Sequence, residues 1–130
     1  MAYYDDFLDG TAVESASSGN VAAGTCSASF AADPNVMNFI SGFTLTGSGA
    51  TAASVVQLTV AGVLGGTQTY IVPVPAGVTV SIQPLVVQFP EPIQAAAKNT
   101  AITVSVPTFG SGNTNVAISM YGYRRRLGVA

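Results

Sequence analysis

The sequence contains no histidine, no tryptophan and only one cysteine, Cys26. Without histidine, the Ser-His-Asp and Cys-His catalytic sites and the histidine-based zinc sites are excluded. A single cysteine cannot form an intrachain disulfide. No cationic residue lies near Cys26 in the sequence to activate its thiol, so we expect it to be a small, buried, apolar residue.

Charge is also scarce, since only 8% of the residues are charged, against about 25% in an average soluble domain. The net charge of -2 gives no general attraction to nucleic acid or to an anionic membrane. The longest apolar stretch, residues 55–64, is interrupted by polar residues and is too short for a membrane helix. The N-terminus lacks the basic and apolar regions of a secretory signal. We therefore expect neither nucleic acid nor a membrane as a partner.

The few residues that could carry chemistry are isolated. Glu91 and Lys98 are the only charged residues between Phe39 and Tyr123, and we expect both to be solvated surface residues. The glycines at 47–49 and 110–112 are not followed by a lysine and a helix, so neither stretch forms a phosphate-binding loop. The sequence predicts no catalytic residue, no cofactor and no metal site, and hence no enzyme.

Short apolar-polar alternations separated by Gly, Pro and Asn are the main pattern of the chain. They predict an all-β fold, a two-sheet antiparallel sandwich of the jelly-roll or Greek-key type with an extended N-terminal arm. Strands are predicted over residues 26–32, 38–46, 54–61, 67–74, 78–82, 85–89, 101–106 and 116–123.

Alternation also predicts which side chains face the core. In the strand over 54–61, Val56, Leu58 and Val60 share one face. In the strand over 38–46, Phe39, Phe43 and Leu45 share a face with Ser41, and Ile40 lies on the other. Glycines 47–49 are predicted to end that strand. Pro73 and Pro75 favour an edge position for the strand over 67–74.

The sequence divides into three parts: an N-terminal arm and linker over residues 1–25, a β-sandwich domain over 26–123 and a C-terminal tail over 124–130. The arm is predicted to be extended and to dock on another chain, because aromatic side chains are common interface anchors. The residues of the arm that we assign to an interface are Tyr3, Tyr4, Asp5, Asp6 and Phe7.

Arg124, Arg125 and Arg126 are the only concentrated charge in the chain. One interpretation is a solvated tail that aids solubility. Another is a contact with acidic groups of a partner, because guanidinium groups bind carboxylates bidentately. The acidic arm, in the same chain or in another copy, is a candidate for that contact. Nucleic acid is a weaker alternative for three arginines on an acidic protein.

Five segments make the chain similar to the decoration (cement) proteins of tailed-phage capsids. They are FISGFTLTG at 39–47, YIVPVPAGV at 70–78, NTAITV at 99–104, GSGNTN at 110–115 and YGYR at 121–124. The resemblance covers residues 39–124 and lies in the general character of the sequence more than in a diagnostic motif. It implies a jelly-roll sandwich that sits on the outer surface of the virion capsid and reinforces the head.

The resemblance implies two kinds of partner, the major capsid protein and copies of the chain itself in a dimer or trimer. It implies no catalytic residue. An alternative of a different class is a receptor- or glycan-binding jelly-roll module of a phage tail fibre. In that interpretation, Phe109 in the loop over 107–115 would be an exposed platform for a sugar.

Overall fold

The computed structural model describes residues 11–126, and this part of the chain contains nine β-strands and no helix. The strands are β1 (Thr11–Ser17), β2 (Val21–Ala22), β3 (Cys26–Phe30), β4 (Val36–Ala50), β5 (Ser54–Ala61), β6 (Gln68–Val74), β7 (Leu85–Gln94), β8 (Ile102–Val106) and β9 (Gly112–Arg126). The predicted interface residues Tyr3, Tyr4, Asp5, Asp6 and Phe7 lie outside the described residues.

The strands pair as one long hairpin that has been rolled up. Its tip is the turn at Gly65 and Gly66, which both have positive φ and join β5 to β6. Moving outward from the tip, β4 pairs with β7, β3 with β8 and β1 with β9, all antiparallel. Glycine suits this turn because it adopts positive φ at no steric cost.

Rolling this hairpin produces two sheets. One has the order β1-β9-β4-β7, with β2 also paired to β9, and the other has the order β3-β8-β5-β6. We call them the first and second sheets. Two nested Greek keys that give these orders define a jelly roll. The predicted all-β sandwich of jelly-roll type is therefore confirmed.

The core lies between the sheets and is filled by alternate residues of their strands. Leu58 and Val60 are fully buried and Val56 packs against them, as predicted. Phe43 of the first sheet meets Tyr70 of the second edge to face, with ring centroids 5.4 Å apart. Cys26 is fully buried, which confirms the expected structural role of that residue.

The single alternation predicted for the strand over 38–46 is wrong, because β4 contains a β-bulge. Opposite β9, Ile40 pairs with Gly122 and Gly42 pairs with Tyr121, so Ser41 is the extra residue. The bulge changes which residues face inward: Ile40 is buried before it, and Phe43 after it. A bulge places two residues opposite one, which shifts the alternation by one position.

Four other predictions of local structure are corrected. Residues 11–17 of the predicted linker form β1, and 124–126 of the predicted tail complete β9. Strand β4 continues through glycines 47–49 to Ala50. Residues 78–82 form a turn rather than a strand, because Gly77 at positive φ reverses the chain. The backbone N–H of Val80 donates to the carbonyl oxygen of Gly77, and Ser81 alone of these residues forms a bridge to β4.

Candidate interaction surfaces

The charged side chains of the described chain lie toward one end of the sandwich, which we call the charged end. This is the end where β1 begins and β9 finishes, and where the turns after β3 and β7 also lie. The charged residues of the described chain are Glu14, Asp33, Glu91, Lys98, Arg124, Arg125 and Arg126. The loops at the opposite end, over residues 18–25, 51–53, 75–84 and 107–111, contain none.

The three arginines are exposed strand residues rather than a tail. They pair with β1 on one side and with β4 on the other. Because side chains alternate along a strand, Arg124 and Arg126 share the face of the buried Asn38 and Val36, their partners in β4. Arg125 points from the outer face of the first sheet. The structure thus separates one arginine from the other two.

Glu14 lies beside this cluster, on the inward-facing side of edge strand β1. Glu14 pairs with Gly122 of β9, and the Oε2 atom of Glu14 has no hydrogen-bond donor among the described residues. Burial raises the pKa of the Glu14 carboxyl above its ordinary value of 4.5, and the nearby charge of Arg124 acts in the opposite direction. Burial is the larger of the two effects, so the ionised form of Glu14 is disfavoured in the folded chain.

Asn38 is the second polar residue beneath this end of the sheet, and it is almost fully buried. Its Nδ2 donates hydrogen bonds of 3.0 Å to the carbonyl oxygens of Ala31 and Thr100. These bonds join β4 to the two loops at the charged end. Its Oδ1, like Oε2 of Glu14, has no donor within the described part of the chain.

We expect Glu14→Gln to stabilise the protein at pH 7. The folded chain holds the Glu14 proton more tightly than the unfolded chain, so this group's contribution to stability is complete below pH 4.5 and is lost as pH rises through the raised pKa. Since the side chain is only partly buried, the gain is at most about 1 kcal/mol, or about 3 °C in Tm.

Thermal melts of both proteins at pH 7.5, 5.5 and 4 test this expectation. The difference in Tm should shrink toward acid pH, where Glu14 becomes neutral like glutamine. All other titratable groups are common to the two proteins and cancel in the comparison. A glutamine variant that melts lower at pH 7.5 would mean that attraction to Arg124 exceeds the cost of burial.

The outer face of the first sheet carries a band of apolar and aromatic side chains, which we call the outer band. Register places Val13, Tyr123 and Phe39 in one row across three strands, Tyr121 beside Gly42 in the next, and Val86 beyond it. Val13 is 87% exposed, Val86 69% and Tyr121 41%. Arg125 is the only charged side chain that the paired rows of this face carry.

Two contacts order the aromatic side chains of the outer band. The rings of Phe39 and Tyr123 are stacked with centroids 4.5 Å apart and only 11° between their planes. Tyr121 lies over Gly42, where an added Cβ would come within 2.5 Å of the tyrosine hydroxyl. Glycine at position 42 therefore leaves the space that this ring occupies. These contacts hold the three rings against neighbouring residues of the outer band.

The outer face of the second sheet differs in chemistry. Its rows consist mainly of serine and threonine, and the hydroxyls of Thr59 and Ser105 lie 3.3 Å apart across two strands. Toward the β6 edge it becomes apolar at Val55, Ile71 and Pro73. This face carries no charged side chain in its paired rows.

Two grooves border these faces. A groove of about 510 Å³ runs between the β6 and β7 edges, and its walls include Ile71, Pro73 and Val86. A second groove of about 290 Å³ lies on the outer face of the first sheet at the uncharged end. We call it the polar groove. It is lined by Asn20, Thr46, Gly47, Ser48, Ser81, Asn115, Val116 and Ala117.

The predicted sugar platform at Phe109 is wrong. Phe109 is only 2% exposed and belongs to the core cluster. Its ring occupies the space beside Gly47, where a Cβ would collide with it. The glycine-rich loop around it suggested exposure, but an apolar ring beside a glycine in the adjacent strand is more favourably buried.

The backbone edges of both sheets are protected against pairing with another strand. Pro73 interrupts the donors of edge strand β6, and Pro90 and Pro92 those of β7. Edge strand β3 has only five residues, and edge strand β1 carries the inward-pointing Glu14. Each of these features discourages edge-to-edge association. Pro73 was predicted at an edge, and that prediction is confirmed.

Glu91 and Lys98 are exposed, as the sequence predicted. Within residues 11–126, no three His, Cys, Asp or Glu side chains come together in a group that could hold a metal ion. In the same part of the chain there is no helix long and apolar enough to cross a membrane. Comparison of the chain with protein-family models, curated proteins and solved structures finds no match.

Proposed function

We propose that this protein is a structural virion protein, a decoration protein that binds the outer surface of a phage capsid and stabilises the head. The observation that carries the proposal is the combination of protected edges with two nearly uncharged faces. Such a sandwich associates through its faces and loops rather than by strand addition. Jelly rolls serve in viral capsid proteins and also in lectins and cupins, so the fold alone does not choose the function.

The distribution of charge supports a fixed orientation on a shell. All three arginines and Lys98 lie toward the charged end. Ionic contacts therefore concentrate at one end of the molecule, while the loops at the other end are neutral. A directional contact of this kind suits a protein that repeats identically over a symmetric surface.

Many weak contacts can reinforce a shell together. Each copy adds an interface of modest energy, but the copies are held by one assembled surface and act through multivalency. A cement added to a formed shell raises the barrier to rupture and leaves the chemistry of packaging unchanged. This role requires no active site.

The test compares phage heads that carry the protein with heads that lack it. Heads without it are expected to release DNA at a lower temperature or after a milder osmotic shock, and adding purified protein should restore resistance. DNA release can be followed with an intercalating dye as temperature rises. As a control, add-back with an unrelated protein of similar size should have no effect.

Two further outcomes of the same comparison are informative. Binding to heads should weaken as salt rises, because part of the contact is ionic, and changing all three arginines to alanine should lower the affinity. Equal DNA release from both kinds of head, with adsorption to host cells lost when the protein is missing, would overturn the proposal in favour of a receptor-binding module.

A further inference from the structure

We propose that the outer face of the first sheet binds the same face of a second copy. The two copies are related by a two-fold axis that lies in the interface, runs across β9 and passes near Tyr121. In this arrangement, Arg125 of each copy enters the polar groove of the other. The inference rests on the proposed function, in which identical copies repeat over one surface, and assigns a contact between copies to this face.

The spacing of residues along β9 gives the position of the axis. The outward-facing residues of this part of β9 are Ala117, Ser119, Tyr121, Tyr123 and Arg125. Arg125 and Ala117 lie four residues on either side of Tyr121, or about 13 Å at the rise of a strand. A rotation of 180° about an axis across β9 at Tyr121 therefore places Arg125 of one copy above Ala117 of the other.

Ala117 is part of the lining of the polar groove. The groove also offers the hydroxyls of Thr46, Ser48 and Ser81 as hydrogen-bond acceptors. Asn20 donates from its Nδ2 to Oδ1 of Asn115 at 3.0 Å, which leaves its own Oδ1 available as an acceptor. A guanidinium has five N–H donors and no acceptor, so its chemistry is complementary to this lining.

The same axis places the aromatic row over the small side chains of Ser119 and Thr44 and keeps like charges apart. Tyr121 meets its own counterpart, and the stacked pair of Phe39 and Tyr123 lies over the row of Ser119. The two copies of Arg125 end about 26 Å apart by the rise of a strand, beyond the screening length of about 8–10 Å. If the two β9 strands were parallel, Arg125 of one copy would lie over Arg125 of the other. Repulsion between these like charges disfavours that arrangement.

The size of the face is close to what a dimer requires. Four strands spaced by about 4.8 Å and eight residue steps of about 3.3 Å give a projected area of about 500 Å². Two such patches bury about 1,000 Å², the lower limit for a specific interface. We therefore expect a reversible dimer that becomes stable when copies are concentrated on a surface. The protected sheet edges leave the sheet faces as the route to self-association.

Single cysteines provide a direct test, because the native Cys26 is fully buried. A residue on a two-fold axis meets itself, so Tyr121→Cys should form a disulfide-linked dimer under mild oxidation. Gln57→Cys is the matched control, since Gln57 is an exposed residue on the outer face of the second sheet. A mixture of Ser119→Cys and Tyr123→Cys should form mixed dimers in preference to either self-pair.

The arginines supply a second matched comparison. Arg125→Ala should weaken the dimer by at least about tenfold in sedimentation equilibrium, since it removes a charged group from a site of neutral acceptors. Arg124→Ala removes the same charge from the inward-facing side of the same strand and should leave the dissociation constant unchanged. Equal effects of the two changes would overturn the assigned face.

The remaining outcomes separate this inference from the proposed function. Cross-linking of Tyr121→Cys no greater than that of Gln57→Cys overturns the inference. If cross-linking at position 121 appears only after deletion of residues 1–10, the chain's own N-terminal segment covers the face, and the inference also fails. Tyr121→Glu should be monomeric, and its binding to heads reports on the proposed function separately from the dimer.

Discussion

Replacement of Phe43 by alanine is expected to lower the free energy of unfolding by about 3–5 kcal/mol. Phe43 is fully buried at the contact between the two sheets. Its ring meets Tyr70 at 5.4 Å and Phe89 at 6.3 Å between centroids. Removing the ring leaves a cavity that two hydrogen-bonded sheets cannot readily collapse to fill. This loss is a large share of the roughly 5–15 kcal/mol that stabilises an ordinary domain.

Thermal unfolding followed by circular dichroism measures the effect, with an expected fall in Tm of about 10–20 °C. Val55→Ala is the control, because Val55 is 65% exposed on the second sheet and its truncation should change stability by less than about 0.5 kcal/mol. Similar melting of the two variants would contradict the packing of the sheets through Phe43.

A double-mutant cycle with Tyr70 isolates the contact between the sheets. Phe43 belongs to β4 and Tyr70 to β6, so the pair joins elements that are not hydrogen-bonded to each other. An edge-to-face aromatic pair contributes about 0.5–1.5 kcal/mol beyond its buried area. We expect the changes Phe43→Ala and Tyr70→Leu to be non-additive by about that amount.

The strands that could be predicted are those whose side chains contrast strongly. In β5, Leu58 and Val60 alternate with Gln57 and Thr59, and the pattern predicts both the strand and its buried face. In β1 the residues are mostly alanine, serine and threonine, whose small side chains give no contrast between faces. Strand β1 is stabilised by pairing with β9, a long-range contact that local sequence does not contain.

The bulge in β4 was beyond prediction for a related reason. Ser41 becomes an extra residue only because β9 and β7 set the register on both sides of it. Opposite Ser41, β7 carries Pro90 and Pro92, and its register with β4 is interrupted there. A proline has no N–H to donate, so the irregularity in one strand matches an irregularity in its neighbour.

For the candidate interaction surfaces, composition predicted uncharged strands but not where the charges gather. Glu14, Asp33, Lys98 and Arg125 are far apart in sequence, and only the rolled hairpin places them toward one end. The outer band depends likewise on register, because Val13, Phe39 and Tyr123 come from three strands. The interface predicted for residues 3–7 stays a prediction.

The second large effect is expected from Gly122→Ala, a change of one methyl group. Gly122 pairs with Glu14 of β1 and with Ile40 of β4, beside the bulge. The bulge brings the β4 backbone over the α carbon of Gly122. An added Cβ would collide with the carbonyl oxygen of Phe39 and lie 3.0 Å from Cα of Ile40. These are backbone atoms held by two ladders, so they cannot move without breaking hydrogen bonds.

We expect Gly122→Ala to cost about 2–3 kcal/mol, as overpacking in a rigid site does. Gly24→Ala is the matched control, because a Cβ at Gly24 meets its nearest atom at 3.7 Å, an ordinary contact. Gly24 also lacks the positive φ that would make alanine strained by itself. Chemical denaturation of both variants gives the two free energies, and equal values would contradict the bulge geometry at this site.

Gly122→Ala should also change the surface, since the bulge determines that Phe39 of β4 lies on the outer face beside Tyr123. If the strain is relieved by loss of the bulge, β4 slips by one residue against β9 beyond that point, and a slip of one residue exchanges the two faces of a strand. The row of Val13, Tyr123 and Phe39 would then be broken, and cross-linking through Tyr121→Cys should fall in the Gly122→Ala background. Retained cross-linking with lowered stability would show that the bulge persists under strain, because the pairing of β4 with β7 fixes it from the other side.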